Sequence, residues 1–177
     1  MALRDAIKEN HDKAEAHRFV KLLLSGYMPP HVYADLLLNH LLCYTELEAL
    51  AKQQGVLDGI EDIQRAVAIA ADYEEFDTKG TVFPATRAYI EYIKNVAPTE
   101  LLAHVYIRHF GDMYGGQMLK KVVPGQASMF DFEDRAGLIA KVRERLSDSL
   151  ADEANRAFEF NIRLFDEIAN AHNIQTT

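Results

Sequence analysis

The sequence has 177 residues, of which 49% are hydrophobic and 26% are charged, and its formal net charge is −8. This balance is typical of one soluble globular domain, and it excludes a disordered chain. The acidic surplus disfavours a nucleic-acid-binding function. No apolar run is long enough to span a membrane and the N-terminus has no signal-peptide core, so we expect a soluble cytoplasmic protein without a membrane partner.

Apolar residues recur at helical spacing in almost every segment, without an alternating strand pattern or an internal repeat, so the predicted fold is an all-α, single-domain helical bundle. We expect one domain over residues 1–177, with a frayed tail at 173–177. Glycine, proline and acidic residues predict loops at 73–81 and 122–131. The predicted helices cover residues 3–19 (continuing to Gly26 after a bend), 30–53, 61–72, 84–95, 98–121, 132–150 and 151–172.

The first predicted helix carries a candidate metal ligand, His11. Glu15 lies one turn later, where its carboxylate can accept the ring N–H that a metal leaves free. Arg4 and Lys8 fall on the same helical stripe, where their charges suit the acidic edge of a porphyrin. An ordinary exposed charged face explains these four residues equally well, so this helix alone leaves both interpretations open.

The helix predicted over 98–121 contains three glycines in its interior, Gly111, Gly115 and Gly116. Each costs about 0.5–1 kcal/mol relative to alanine, which indicates a compensating use. One interpretation ends the helix at Gly115-Gly116. The other places a flat ligand against backbone that lacks Cβ atoms, with the helix bending over it and Asp112 held nearby as a proton-handling group.

The run from Tyr106 to Lys121, Y-I-R-H-F-G-D-M-Y-G-G-Q-M-L-K-K, resembles the distal-helix signature of biliverdin-producing heme oxygenases of the soluble bacterial and cyanobacterial type. Every fixed position of that signature is matched. His11 to Glu15 is similar to the proximal segment of the same family, and Arg4 falls where the family has a propionate-binding lysine. The resemblance implies a heme-oxygenase-like bundle in which heme lies between a proximal helix and a kinked distal helix.

The resemblance also implies the roles of individual residues. His11 is the expected axial ligand of the heme iron, and Asp112, Gly111 and Gly115 are the expected catalytic residues. The expected heme contacts are Arg4, Lys8, His11, Glu15, Tyr106, Gly111, Gly115, Gly116, Arg143, Phe158 and Asn161.

Several positions depart from the family pattern, among them Ile107 and Phe110 in the distal helix. Arg143 matches the arginine of a basic pair on the propionate side, but Ile139 stands at its partner position, which leaves Lys141 or Arg145 as substitutes. Tyr114 is bulkier than the serine common in relatives, and His109 adds a second imidazole near the expected site.

The implied reaction is oxidative cleavage of heme b, which serves as both substrate and cofactor, to biliverdin, with the IX-alpha isomer as the family default, CO and Fe2+. O2 and electrons are required, and Asp112 is expected to deliver a proton through ordered water. Since the sequence has no flavin or dinucleotide fingerprint, the electrons are expected from a soluble donor such as reduced ferredoxin. Its predicted dock is the basic set Arg4, Lys8, Lys120 and Lys121, and a bilin reductase is a further expected partner downstream.

Three other classes of protein compete with this interpretation. A non-catalytic heme carrier would use the same His11 without degrading its ligand. A thiaminase-type enzyme would share the bundle but need a nucleophilic cysteine, for which Cys43 is the single candidate. A ferritin-like di-iron protein is disfavoured because the chain has no Glu-x-x-His motif.

Overall fold

The computed structural model describes residues 1–175, and in this range it contains α-helices and short 3-10 turns but no β-strand. The helices pack around one hydrophobic core. The predicted all-α class is confirmed. The α-helices are α1 (Leu3–Ala6), α2 (Lys8–Glu15), α3 (Arg18–Leu24), α4 (Pro30–Gln53), α5 (Ala66–Glu74), α6 (Pro84–Ile93), α7 (Pro98–Leu119), α8 (Arg135–Arg145) and α9 (Ala151–Ala171).

The centre of the bundle is formed by three long helices, α4, α7 and α9. Helix α7 packs against both α4 and α9, while α5 and α6 cover α4, and α2 and α3 lie on α9. Pro30 and Pro98 are the first residues of α4 and α7, where the fixed φ of proline suits a helix start and its missing N–H leaves no bond unmade.

The N-terminal segment differs from the predicted single helix over 3–19, because it forms three short helices. No residue of α2 is buried, whereas Ile7 before it and Phe19 after it are both in the core. His17 has extended backbone, and its Nδ1 accepts the N–H of Phe19 at 3.0 Å, which caps α3. The two breaks allow the chain to bury residues on either side of an exposed helix.

Helix α5 begins at Ala66, five residues later than predicted. Residues 61–63 form a 3-10 turn, and Gln64 is extended. The start of α5 is set by Glu48 of α4, whose carboxylate accepts the backbone N–H groups of Arg65 at 2.7 Å and Ala66 at 3.0 Å. Such a cap from a distant part of the chain leaves no local pattern in the sequence.

Helix α7 continues through all three of its glycines to Leu119, so the interpretation that ended it at Gly115-Gly116 is wrong. Helix α8 is shorter than the predicted 132–150. The Asp134 side chain caps its start by accepting the N–H of Gly137 at 3.1 Å, and Leu146 is extended at its end.

The C-terminal segment turns back on α9 after its last residue, and the fraying expected for residues 173–177 stays a prediction. Asn173 has a left-handed backbone, φ 54°, and the N–H of Ile174 donates to the carbonyl of Ala169 at 2.9 Å. The Ile174 side chain packs against the core. Residues 176 and 177 of that predicted tail lie outside the described residues. Within residues 1–175, no helix combines the length and apolarity needed to cross a bilayer.

Candidate active site

One face of α7 opens to solvent along its last two turns. Gly111 and Gly115 are exposed on this face, and a Cβ built on either would meet no atom within 4 Å. Tyr114 and Met118 are also exposed here. The backbone at Gly111 and Gly115 therefore leaves room for a ligand to approach closely.

Gly116 lies on the opposite, buried side of α7. A Cβ at this position would come within 2.7 Å of the Phe130 ring, so glycine is needed for packing against the loop after α7. In the structure glycine is required at position 116 for packing against Phe130, whereas the sequence analysis expected a heme contact there.

Asp112 lies next to the open face but is itself buried. The Tyr44 hydroxyl donates to its Oδ2 at 2.7 Å. Burial raises the pKa of Asp112 to about 6, against the opposing effects of the His109 charge, the Tyr44 hydrogen bond and the charges of Arg108 and Arg65. A carboxyl group that titrates near neutral pH is suited to taking up and releasing a proton during a reaction.

Arg108 lies one turn before Asp112 and is buried with its guanidinium 4.2 Å above the centre of the Tyr89 ring. Its Nε and Nη1 have no hydrogen-bond partner among residues 1–175. Asn161 of α9 likewise has a buried Oδ1 without a partner in the described part of the chain. Buried polar atoms without partners are uncommon, and each is a place where an ordered water or a ligand is expected.

His11, the predicted iron ligand, lies on the exposed helix α2. Its ring is half exposed and packs edge-on against Phe158 of α9, with 6.1 Å between ring centres. Nε2 lies 3.5 Å from a Glu15 oxygen, and Nδ1 lies 3.5 Å from an Asp12 oxygen. Neither distance is that of a good hydrogen bond, so both nitrogens remain available to another partner.

The predicted propionate-binding residues come from three helices. Arg4 of α1 and Arg143 of α8 both lie close enough to Tyr106 of α7 to affect it: burial raises the pKa of the Tyr106 hydroxyl, and the charges of Arg143 and Arg4 oppose this rise. Arg143 also donates a hydrogen bond to the hydroxyl of Tyr114. The structure therefore brings Arg4, Tyr106 and Arg143 into one neighbourhood.

Other basic residues expected at this edge have different partners. Lys8 forms an exposed ion pair with Asp12 on its own helix. Lys141 and Arg145, the proposed substitutes for a basic residue at position 139, instead donate to backbone carbonyls of the loop at 56–59. Arg143 thus has no basic neighbour on α8 that replaces the missing one.

Sequence reasoning missed Tyr44 and Glu48. Both lie on α4, four residues apart, and are buried next to α7. Helix α4 also buries Asp35 and Asn39, so the sequence pattern neither singles out Tyr44 and Glu48 nor reveals their partners.

The chain is similar to a known protein family over most of its length. The family model described as heme oxygenase matches residues 1–138. A heme oxygenase of Rhodella violacea is 30% identical, over 95% of this chain and 86% of that protein. The crystal structure of heme oxygenase-1 from Synechocystis in complex with heme has a TM-score of 0.81 at 25% identity, covering 97% of this chain and 94% of the other. The heme oxygenase structure from Leptospira interrogans has a TM-score of 0.82 at 26% identity, covering 94% and 100%.

Proposed function

The chain belongs to the heme oxygenase family, and we propose that it cleaves heme with O2 and electrons from a separate donor to biliverdin, CO and Fe2+. The observation that carries this proposal is the pairing on α7 of two open glycines with a buried carboxyl group that titrates near neutral pH. The glycines permit close backbone approach, and Asp112 provides the proton.

The described residues fit heme b. His11 would bind the iron, with Glu15 beside its ring, and the backbone at Gly111 and Gly115 would contact the macrocycle. Arg4, Tyr106 and Arg143 would hold the propionates, because two guanidinium groups and a hydroxyl group match two carboxylates in charge and hydrogen bonding. Phe158 would support the His11 ring.

When bound, heme supplies the iron that takes up electrons and O2, and it is also the molecule that is cleaved. Asp112 holds the proton that the reaction needs, and the Tyr44 hydroxyl keeps its carboxyl group in place. We infer that an ordered water carries this proton from Asp112 toward the open face of α7. Gly111 and Gly115 place no side chain on that face, so a ligand bound there would meet the helix backbone directly.

The alternatives receive less support. The thiaminase-type reaction needs a reactive thiol, but Cys43 is buried and burial raises the pKa of its thiol group, which makes it a poor nucleophile. A non-catalytic heme carrier needs His11 but has no use for a carboxyl group with a raised pKa beside open glycines.

Turnover tests this proposal directly. Hemin is added to the purified full chain with ferredoxin, ferredoxin reductase, NADPH and O2, and the absorption spectrum and CO release are followed. We expect the Soret band to decay as biliverdin appears with CO. A Soret band that forms and persists under these conditions would establish the carrier function instead.

We further propose a cytoplasmic setting, with reduced ferredoxin as the donor and a bilin reductase as the consumer of the product. The predicted basic dock is smaller than the sequence indicated, because Lys120 forms an ion pair with Asp131 and Lys8 is paired with Asp12. Arg4 and Lys121 are therefore its principal charges. Lys121→Ala is expected to slow ferredoxin-driven turnover while leaving dithionite-driven turnover unchanged, and equal slowing in both assays would exclude the dock.

A further inference from the structure

Helix α7 contains two buried histidines that each contact a glutamate, and the reaction described above uses neither of them. Nε2 of His104 lies 2.8 Å from Glu153, and Nε2 of His109 lies 2.8 Å from Glu48. Both imidazole rings are fully buried. The two pairs differ in the partner of the other ring nitrogen, Nδ1.

At His104 that partner is able to donate a hydrogen bond. Nδ1 lies 2.8 Å from the Tyr89 hydroxyl, so a neutral ring can accept from Tyr89 while its Nε2–H donates to Glu153. Burial lowers the pKa of His104, which agrees with a neutral ring.

At His109 that partner can only accept. Nδ1 lies 3.0 Å from the backbone carbonyl of Val105, so Nδ1 must carry a hydrogen. A neutral ring would then point the lone pair of Nε2 at a carboxylate oxygen 2.8 Å away, which is repulsive. A second proton must therefore lie between His109 and Glu48.

The surroundings of Glu48 place that proton on the histidine. One carboxylate oxygen accepts the N–H of Arg65 and the other accepts the N–H of Ala66, at the N-terminus of α5. Two amide donors and the positive end of a helix dipole both favour the ionised carboxylate. We propose that the Glu48 carboxylate holds a proton on Nε2 of His109, and that His109 thereby places a positive charge one turn from the Asp112 carboxyl group.

The residues between and around His109 and Asp112 indicate how the His109 charge can act on the Asp112 carboxyl group. Tyr44 lies between the two residues, with its ring centre 5.0 Å from that of His109 and its hydroxyl bonded to Asp112. Burial raises the pKa of Asp112, and the His109 charge is the largest of the opposing influences, ahead of Tyr44, Arg108 and Arg65. Glu48 carries the balancing negative charge. His109 is thus a positioning residue that acts through charge.

The role given to Asp112 rests on the proposed function, but the charge of His109 does not and is measurable in heme-free protein. The full chain is labelled with 15N in its histidine rings, and long-range 1H–15N NMR spectra are recorded from about pH 6 to about pH 9, on both sides of the ordinary histidine pKa. His109→Gln and His104→Gln assign the two rings. At neutral pH we expect His109 to carry hydrogens on both ring nitrogens and His104 to carry one.

An unprotonated Nε2 on His109 at neutral pH would overturn the proposal. Glu48→Gln provides a second test if the His109→Gln protein does not fold, which circular dichroism will show. With a neutral partner, His109 is expected to lose one of its two ring hydrogens near neutral pH. Retention of both hydrogens in Glu48→Gln would exclude the pairing as the cause.

The effect on Asp112 is measured from its carboxyl 13C shift across the same pH range. In His109→Gln the titration midpoint is expected to rise by about one pH unit, the lower end of the effect of a nearby opposite charge. His40→Gln is the matched control, because burial lowers the pKa of His40 to about 3 and its neutral ring lies beside the same Tyr44. An Asp112 midpoint that is equal in all three proteins would overturn this role, whereas absent heme turnover with the expected midpoints would contradict only the proposed function.

Discussion

The Tyr44 hydroxyl donates a hydrogen bond of 2.7 Å to Oδ2 of Asp112, linking the middle of α4 to α7 beside its open glycines. Both groups are buried, so the bond is shielded from water. It fixes the carboxyl group in position and favours its ionised form. The protonation state of Asp112 therefore depends on another helix as well as on its own.

Replacing Tyr44 with phenylalanine removes this hydrogen bond and keeps the ring. Since the bond lowers the pKa of Asp112, that pKa is expected to rise above about 6, and the pH dependence of heme turnover should shift to higher pH in parallel. Rates measured across the pH range test this. Tyr73→Phe is the control, because the Tyr73 hydroxyl contacts Gly80 far along the chain from Asp112. Coinciding profiles for wild type and Tyr44→Phe would refute the link.

Asp112→Asn keeps the shape of the side chain but removes its proton-donating ability. Heme binding, followed by Soret titration, is expected to be unchanged, while biliverdin formation should fall by about 100-fold or more, as for loss of a general acid. Asp131→Asn controls for a change of charge near the end of α7. Normal biliverdin output from Asp112→Asn would rule out the proton-donor role.

The same variant is expected to change stability with pH. The pKa of Asp112 is about 6 in the folded protein, against an ordinary value of 3.8, so folding favours the protonated form. This contribution is present below pH 3.8 and is lost as pH rises through about 6, a loss of about 3 kcal/mol. The stability of heme-free Asp112→Asn relative to wild type should therefore increase by about that amount over this range. Denaturant unfolding at several pH values measures it, and a constant difference would contradict burial of an ionisable group.

His11→Ala is expected to remove the proposed ligand of the heme iron. The spectrum of bound heme should change and turnover should be lost, whereas the control His31→Ala, an exposed histidine outside α2, should behave as wild type. An unchanged heme spectrum in His11→Ala would move the ligand elsewhere. His109 is a poor substitute, because both of its nitrogens already have partners.

Alanine at Gly115 and alanine at Gly116 are expected to have opposite effects. The Cβ of Gly115→Ala enters open space, so this variant should gain about 0.5–1 kcal/mol of stability without heme but bind heme more weakly. The Cβ of Gly116→Ala meets the Phe130 ring, so this variant should lose about 1–3 kcal/mol. Thermal unfolding and heme titration distinguish them. Equal stabilities would show that the two faces of α7 are not distinct.

The long helices were predictable because their pattern is local. Helices α4 and α9 match the predicted ranges within one residue, and α7 ends two residues earlier than predicted. Proline at the start and sustained apolar spacing suffice for such elements. The break after Ile7 and the start of α5 depend on burial and on a carboxylate from another helix, and neither is visible within a short stretch of sequence.

The glycines and Asp112 were recognisable for a similar reason, since they lie within one turn or two of each other. The residues that surround them were not recognisable from the sequence. Tyr44 and Glu48 are more than sixty residues away from their partners, and only the packing of α4 on α7 brings them together. The sequence also failed to separate Gly116 from Gly115, because adjacent residues on a helix face different sides.

The helix that carries His11 has no buried residue, although the segments on both sides of it are anchored in the core. Displacing α2 outward therefore exposes little apolar surface, whereas displacing α7 would disrupt the centre of the bundle. For a rigid planar substrate to enter and a longer, flexible product to leave, one of these two helices must move. In this protein the helix that can move is the one that carries His11, the proposed iron ligand, whereas the helix with the open glycines is held by the core.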